Sequence, residues 1–186
     1  NKVMKSIYNQ DQDYLKSLYG KKFLITGGNG MLGNSFLNQL KVNVLNPKIY
    51  CLNKLELNVS NFNSFNKYID LKPDFIIHCT GLVNADLCEK NKEDGRVNIL
   101  EGTKNIMKYA KINNSKVFYP QSFLIYNDTN KTIDEDTIPR PLSVYGNLKL
   151  EAEKIVLDSS ENTISVRMGG FFGGEEKDTN FVGKII

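Results

Sequence analysis

The stretch Thr26-Gly27-Gly28-Asn29-Gly30-Met31-Leu32-Gly33, placed directly after the apolar run Phe23-Leu24-Ile25, constrains this chain most. A short apolar run that breaks into glycines and resumes at helical spacing reads as strand, tight turn and helix. Met31, Leu32, Phe36, Leu37 and Leu40 give that helix an apolar face. Gly27 lets the chain turn off the strand, Gly30 lets backbone N–H groups approach a pyrophosphate, and Gly33 lets helix and strand pack closely. The helix start adds N–H donors and the positive end of a dipole. The spacing is Gly-x-x-Gly-x-x-Gly, and its place between strand and helix points to a dinucleotide-binding turn.

The rest of the chain repeats the alternation. Lys48 to Leu52, entered through Pro47, reads as a second strand, and Phe75-Ile76-Ile77-His78-Cys79-Thr80-Gly81 as a third. A near-continuous apolar run fits a strand covered on both faces of a parallel sheet. Ser60 is the expected cap of a helix running to about Ile69, and Asn91 to Ile112 carries one long helical pattern. Lys116 to Tyr119 forms the next strand and delivers Pro120-Gln121-Ser122 to the carboxyl edge of the sheet. After an acidic, Pro-bearing loop, either Ser143 or Asn147 starts a helix through Leu157, and Thr163 to Arg167 is the last strand. The expected fold is therefore α/β, a Rossmann-like doubly wound parallel sheet with helices on both faces. Residues 1–20 form an N-terminal extension with a short helix packed on the domain that begins at residue 21.

A chain of 186 residues, 40% hydrophobic, buries a core of its own and suits one domain. Its 24 basic and 21 acidic side chains leave a net charge of +3 without a long basic run, which speaks against nucleic acid as a partner. No apolar stretch reaches the roughly 20 residues of a membrane span, and the N-terminus lacks a signal-peptide core; the expectation is a cytoplasmic protein away from membranes. Cys51, Cys79 and Cys88 lack Cys-x-x-Cys spacing, so buried free thiols are expected at Cys51 and Cys79. With one histidine, no metal site is expected. His78 itself reads as a core histidine satisfied by hydrogen bonds rather than as a base.

The chemistry centres on Tyr145 and Lys149, one helical turn apart and so on one face. An ammonium beside a phenol favours the phenolate and lowers its pKa, which would let Tyr145 exchange a proton with a substrate oxygen. Ser122, at the preceding strand end, is placed to bond the same oxygen. Tyr50/Lys54 and Tyr68/Lys72 share the spacing, but only Tyr145/Lys149 follows a strand that ends in a serine. The second strand ends Asn53-Lys54 with no acid before Glu56. A carboxylate at that point selects NAD, whereas an uncharged residue beside a lysine tolerates the 2′-phosphate of NADP.

This set resembles the extended short-chain dehydrogenase/reductase family, and within it the dTDP-4-dehydrorhamnose reductase branch. The glycine turn, Ser122 with Ile125-Tyr126, and Tyr145-Gly146-Asn147-Leu148-Lys149 carry the wider resemblance. The narrower one rests on Lys72-Pro73-Asp74 through His78, Asn84-Ala85-Asp86-Leu87-Cys88-Glu89, Arg96 to Thr103, Pro141 to Gly146 and Asn180-Phe181-Val182. The resemblance implies a catalytic set of Ser122, Tyr145 and Lys149. It implies cofactor contacts from Gly27, Gly30, Met31, Leu32, Gly33, Asn53, Lys54, Asn58, Cys79, Gly81, Tyr145 and Lys149. It further implies reduction of the C4 keto group of a nucleotide-linked 4-keto-6-deoxy sugar for polysaccharide synthesis, with NADPH preferred and NAD possible, and a homodimer.

Three departures stand out. Gln121-Ser122-Phe123 replaces the family's Ser-Thr-Asp, Met168-Gly169-Gly170 replaces its Thr-Ser-Trp, and Asn58 replaces an Asp common near the adenine. The family also continues for a further substrate-gripping lobe, which this chain is expected to lack. These features keep two alternatives open: an epimerase or dehydratase holding NAD, and a cofactor-binding regulatory subunit without catalysis.

Overall fold

The computed structural model describes residues 13–81, 85–127 and 132–170. Five parallel strands, β1 (Lys22–Thr26), β2 (Lys48–Leu52), β3 (Phe75–His78), β4 (Lys116–Ser122) and β5 (Thr163–Met168), lie in the order β2-β1-β3-β4-β5. The helices are α1 (Met31–Asn43), α2 (Ala85–Lys90), α3 (Lys92–Arg96), α4 (Gly102–Asn113) and α5 (Val144–Ser159). The chain order reverses between β1 and β3, which opens a crevice at the carboxyl ends of the strands.

Alternation along the strands builds two cores. Leu24, Ile76 and Val117 point to one face and join Leu100, Ile106, Tyr109, Ala152 and Val156 from α4, α5 and the turn before α4. Phe23 points to the other face, stacks on Phe75 with ring centroids 5.1 Å apart, and joins Leu18 and Val44. On the strand after β3, Phe118 meets Phe36 of α1 at 5.1 Å. Both faces are thus covered, as the doubly wound reading requires. Residues 13–17 are helical, and Leu18 is buried in the second core. The earlier residues of the extension, Asn84 and Asn180-Phe181-Val182 lie outside the described residues.

The structure corrects two local expectations and refines a third. Asn61, not Ser60, caps a 3₁₀ helix over Phe62–Tyr68, its side chain accepting from Asn63 N. The single helix expected over 91–112 runs from Lys92 to Asn113 behind a cap at Asn91, with a π segment at Val97–Glu101 joining α3 to α4. Close approaches flank the π segment on both sides. A Cβ on Gly95 would meet Leu148 Cδ1 at 3.0 Å and Cys88 Sγ at 3.3 Å, and one on Gly102 would meet Val59 Cγ2 at 2.9 Å. Finally, β4 runs on through Pro120 to Ser122, and Pro120 falls beyond the last β3 partner, Phe118. Ser143 rather than Asn147 starts α5, its hydroxyl accepting from Gly146 N at 2.9 Å.

Candidate active site

The glycine turn is built as a backbone cradle. Gly27 has φ +74°, a conformation that costs glycine least. Its carbonyl accepts from Gly30 N at 2.9 Å, and Gly28 N donates to Leu52 O at 3.1 Å. A Cβ on Gly33 would stand 2.5 Å from Gly27 O, so α1 can start this close to β1 only without a side chain there. Gly30 offers α1 no side-chain cap, and no acid occupies its first turn. These are the properties that let a helix start receive a phosphate.

A cavity of about 740 Å³ opens from this cradle along the ends of β3, β4 and β5. Of the residues proposed from sequence, Gly27, Gly30, Met31, Leu32, Gly33, Cys79, Gly81, Ser122, Tyr145 and Lys149 line it. Asn53, Lys54 and Asn58 do not. The Asn53 Oδ1 turns back to accept from Leu55 N at 2.8 Å and Glu56 N at 3.2 Å. Asn58 Oδ1 likewise accepts from Ser60 N at 3.2 Å. Lys54 is exposed beside the cradle.

Tyr145 is buried at the second position of α5, facing the end of β4. Burial pushes its phenol up, while the neighbouring Ser122 hydroxyl draws it down. Because Ser122 Oγ accepts from Leu124 N at 3.2 Å, its own proton is available to the Tyr145 oxygen. Lys149 does not lean on the phenol as expected. Its Nζ donates to Pro120 O at 2.9 Å and lies 4.0 Å above the Tyr119 ring. Burial pushes this ammonium down to about 7, with Glu153 pulling the other way. The phenol therefore sits above its ordinary value here, since burial outweighs the influence of Ser122 and the ammonium is directed elsewhere.

Several residues at the site carried no local sequence signal. Gln121 is buried, donating from Nε2 to Lys149 O at 2.9 Å and accepting from Ser122 N at 2.8 Å. It thus ties β4 to α5 between the two catalytic candidates. Glu153, one turn beyond Lys149, is 5% exposed and meets Arg167 in two bonds of 3.1 and 3.2 Å. Ser165 Oγ donates to the same carboxylate at 2.7 Å, and Arg167 Nη1 donates to the Tyr126 hydroxyl at 2.8 Å.

Under the cavity floor His78 is fully enclosed, as the sequence suggests. Thr80 N donates to Thr26 Oγ1 at 3.2 Å, and Thr26 Oγ1 lies 2.9 Å from His78 Nδ1. On the other side Thr103 Oγ1 lies 3.5 Å from Nε2 and donates to Ile99 O at 2.6 Å. With the Thr103 hydroxyl hydrogen directed at Ile99 O, the arrangement is satisfied by the tautomer in which Nε2 carries the imidazole hydrogen and Nδ1 accepts. Burial pushes this histidine down to about 3, which makes it a neutral brace between β1, β3 and the π turn.

The thiols are all held toward the protonated form by burial. Cys88 is the fully buried one, while Cys51 and Cys79 are half-buried at the cradle, a correction to the expected burial. Burial pushes Cys79 up to about 12 and raises Cys51 as well. Among the described residues no group of His, Cys, Asp and Glu could hold a metal. No described helix is long and apolar enough to cross a membrane.

Comparison with known proteins identifies the family and the fold. The model of the RmlD substrate binding domain matches residues 21–186. Among solved structures, dTDP-4-dehydrorhamnose reductase from Bacillus anthracis, in complex with NADP, superposes with a TM-score of 0.81 at 25% identity, over 89% of this chain and 58% of that one. The Yersinia enterocolitica reductase gives 0.78 at 33% identity, over 89% and 58%. Among curated proteins, methionine adenosyltransferase 2 subunit beta of Xenopus laevis is 31% identical over 168 residues, 84% of this chain and 49% of that protein. The dTDP-4-dehydrorhamnose reductase of Aggregatibacter actinomycetemcomitans is 29% identical over 167 residues, 89% and 56%. The chain thus spans about half the length of the curated relatives it matches. With its glycine cradle and its Ser122, Tyr145 and Lys149 on one cavity, the chain belongs to the family of the RmlD substrate binding domain, within the extended short-chain dehydrogenases/reductases.

Proposed function

We propose that the protein is an NADPH-dependent reductase of a nucleotide-linked 4-keto-6-deoxy sugar. The observation that carries the reading is Ser122 and Tyr145 sharing one cavity with a side-chain-free phosphate cradle. The cradle and the uncapped start of α1 fit a dinucleotide pyrophosphate. When bound, the nicotinamide cofactor supplies the hydride.

The chain's own residues do the rest. Ser122 fixes the carbonyl oxygen of the sugar and Tyr145 donates a proton to it from the α5 side. Lys149, its Nζ held between a carbonyl and an aromatic ring, would take a nicotinamide ribose there as a further acceptor. Lys54, exposed beside the cradle, favours NADPH over NADH by facing the 2′-phosphate. Asn53 and Asn58 flank the adenosine end on this reading.

A second reading is supported by the curated relatives whose name makes them a subunit of methionine adenosyltransferase 2. Gln121, Phe123 and Met168-Gly169-Gly170 line the cavity, and on this reading they change the substrate side and leave the cofactor side intact. A cofactor-binding subunit without turnover would look like this.

One experiment separates them. NADPH and NADH are titrated by fluorescence against the full-length protein, followed by NADPH consumption with a dTDP-linked 4-keto sugar. Saturable binding with NADPH tighter, plus turnover, supports the reductase. Binding without turnover by any 4-keto sugar favours the subunit, and tighter NAD(H) moves the reading toward an epimerase. Light scattering on the same sample tests the proposed homodimer.

A further inference from the structure

The sequence motif Ala85-Asp86-Leu87-Cys88-Glu89 carries part of the resemblance but has no role in the site described so far. The structure gives one to its last residue. Glu89, at the end of α2, reaches α5 across 55 positions of sequence and accepts a hydrogen bond from Val144 N at 2.6 Å. Val144 is the first residue of α5, and its N–H is one of the four that a helix start leaves without an internal partner.

Two residues on, Gly146 N donates to Ser143 Oγ at 2.9 Å. Tyr145 lies between these two anchored amides. On its far side Gly146 is pressed against the 3₁₀ turn Phe123–Ile125, where a Cβ would stand 2.3 Å from Leu124 O. The backbone of Tyr145 is thus held from within α5, from the end of β4 and from α2. Only the α2 anchor is a charged side chain, and a carboxylate at a helix start is favoured by the dipole as well as by the bond. The adjoining Cys88 is fully buried and packs near Gly95 and Leu148, so α2 is a firm base for that reach.

We infer that Glu89 is a positioning residue for Tyr145: its bond to Val144 N fixes the first turn of α5 and so sets the phenol against Ser122. The inference rests on the reading of Tyr145 as the proton donor.

The test uses the full-length protein with ζ-¹³C-tyrosine, the Tyr145 signal being assigned by its loss in Tyr145→Phe. Glu89→Ala removes the acceptor, whereas Glu89→Gln keeps an acceptor oxygen and removes the charge. The expected result is a Tyr145 signal displaced in Glu89→Ala and retained in Glu89→Gln. In turnover assays Glu89→Ala should lower kcat by about ten- to a hundredfold, the scale of a small misplacement, with KM for NADPH changed by less than about twofold. Glu89→Gln should restore most of kcat. Should Glu89→Ala fail to fold, Glu89→Asp, whose arm is one carbon shorter, takes its place. A Tyr145 signal unmoved in Glu89→Ala, or equal displacement in Glu89→Gln, would overturn the inference. Absence of turnover in the wild-type protein would instead refute the reductase reading, and the carbon signal would still decide the role of Glu89.

Discussion

Gly33→Ala is the sharpest perturbation of the cradle. The added methyl would stand 2.5 Å from Gly27 O and 3.1 Å from Gly27 C, about 0.9 Å short of ordinary contact with the oxygen. Neither side yields easily. The obstacle is backbone, and Gly27 is itself close to the Cys79 main chain, where its own Cβ would meet the carbonyl at 3.0 Å. Overpacking of this kind costs about 1–3 kcal/mol. Alanine inside α1 recovers about 1 kcal/mol of helix propensity relative to glycine. With a rigid obstacle the cost belongs at the upper end, leaving a net loss of about 2 kcal/mol. If the turn opens to relieve the clash, the loss is read in cofactor binding as a roughly 30-fold weaker Kd for NADPH. If the turn holds, it is read in stability as a midpoint about 4–8 °C lower. Fluorescence titration with NADPH and thermal unfolding on the same sample capture both. Gly169→Ala is the control, since a Cβ there meets nothing within 4 Å and the residue, though it lines the same cavity, is not among the expected cofactor contacts. A Gly33→Ala protein that binds and melts like the wild type would refute the claim that close helix–strand approach builds this site.

Three further outcomes follow from the geometry. His78 is the chain's one histidine, and with its folded value near 3 against an ordinary 6.5 the unfolded chain takes up the proton first. Stability therefore falls as pH drops from 6.5 toward 3, seen as a lower urea midpoint at pH 5 than at pH 7; an imidazole proton signal titrating near 6.5 would contradict the brace. Lys149, with a value of about 7, is substantially neutral at pH 7.5 and should react with pyridoxal 5′-phosphate ahead of the exposed lysines, with NADPH protecting it; peptide mapping after borohydride reduction that finds label spread evenly would rule this out. Glu153→Ala leaves Arg167 without its carboxylate, a loss of about 3–5 kcal/mol for a buried pair, toward the lower end because Arg167 is 30% exposed. A melting midpoint unchanged in that variant would show the pair to be idle.

What the sequence made legible was whatever leaves a local mark. The close approach of α1 to β1 demands glycines at fixed positions, and a strand buried on both faces demands an unbroken apolar run, so the cradle and β3 could be read directly. Ser122, Tyr145 and Lys149 were legible through their order along strand and helix. Long-range partners leave no such mark. Glu89 and Val144, Glu153 and Arg167, or Thr26, His78 and Thr103 meet only once the sheet is assembled, and nothing near any of them in sequence announces the other. The direction of Lys149 was hidden for the same reason, since its acceptor is the carbonyl of Pro120, 29 positions earlier. The π segment between α3 and α4 was only partly visible. Gly95 and Gly102 interrupt the helical pattern, but the side chains they make room for, Leu148 and Val59, are distant in sequence.

The hydrogen bonds beneath the cavity run in one direction, from Thr80 N through Thr26, His78 and Thr103 to the Ile99 carbonyl. Position 78 must therefore receive at one end and give at the other while carrying no charge. Two kinds of side chain satisfy that rule, a neutral imidazole and a carboxamide. Related chains should exchange histidine there for asparagine or glutamine far more readily than for leucine of similar bulk. Positions 26 and 103 should keep a hydroxyl wherever position 78 keeps its polarity. A chain that loses one member of the series should be found to have lost the others with it.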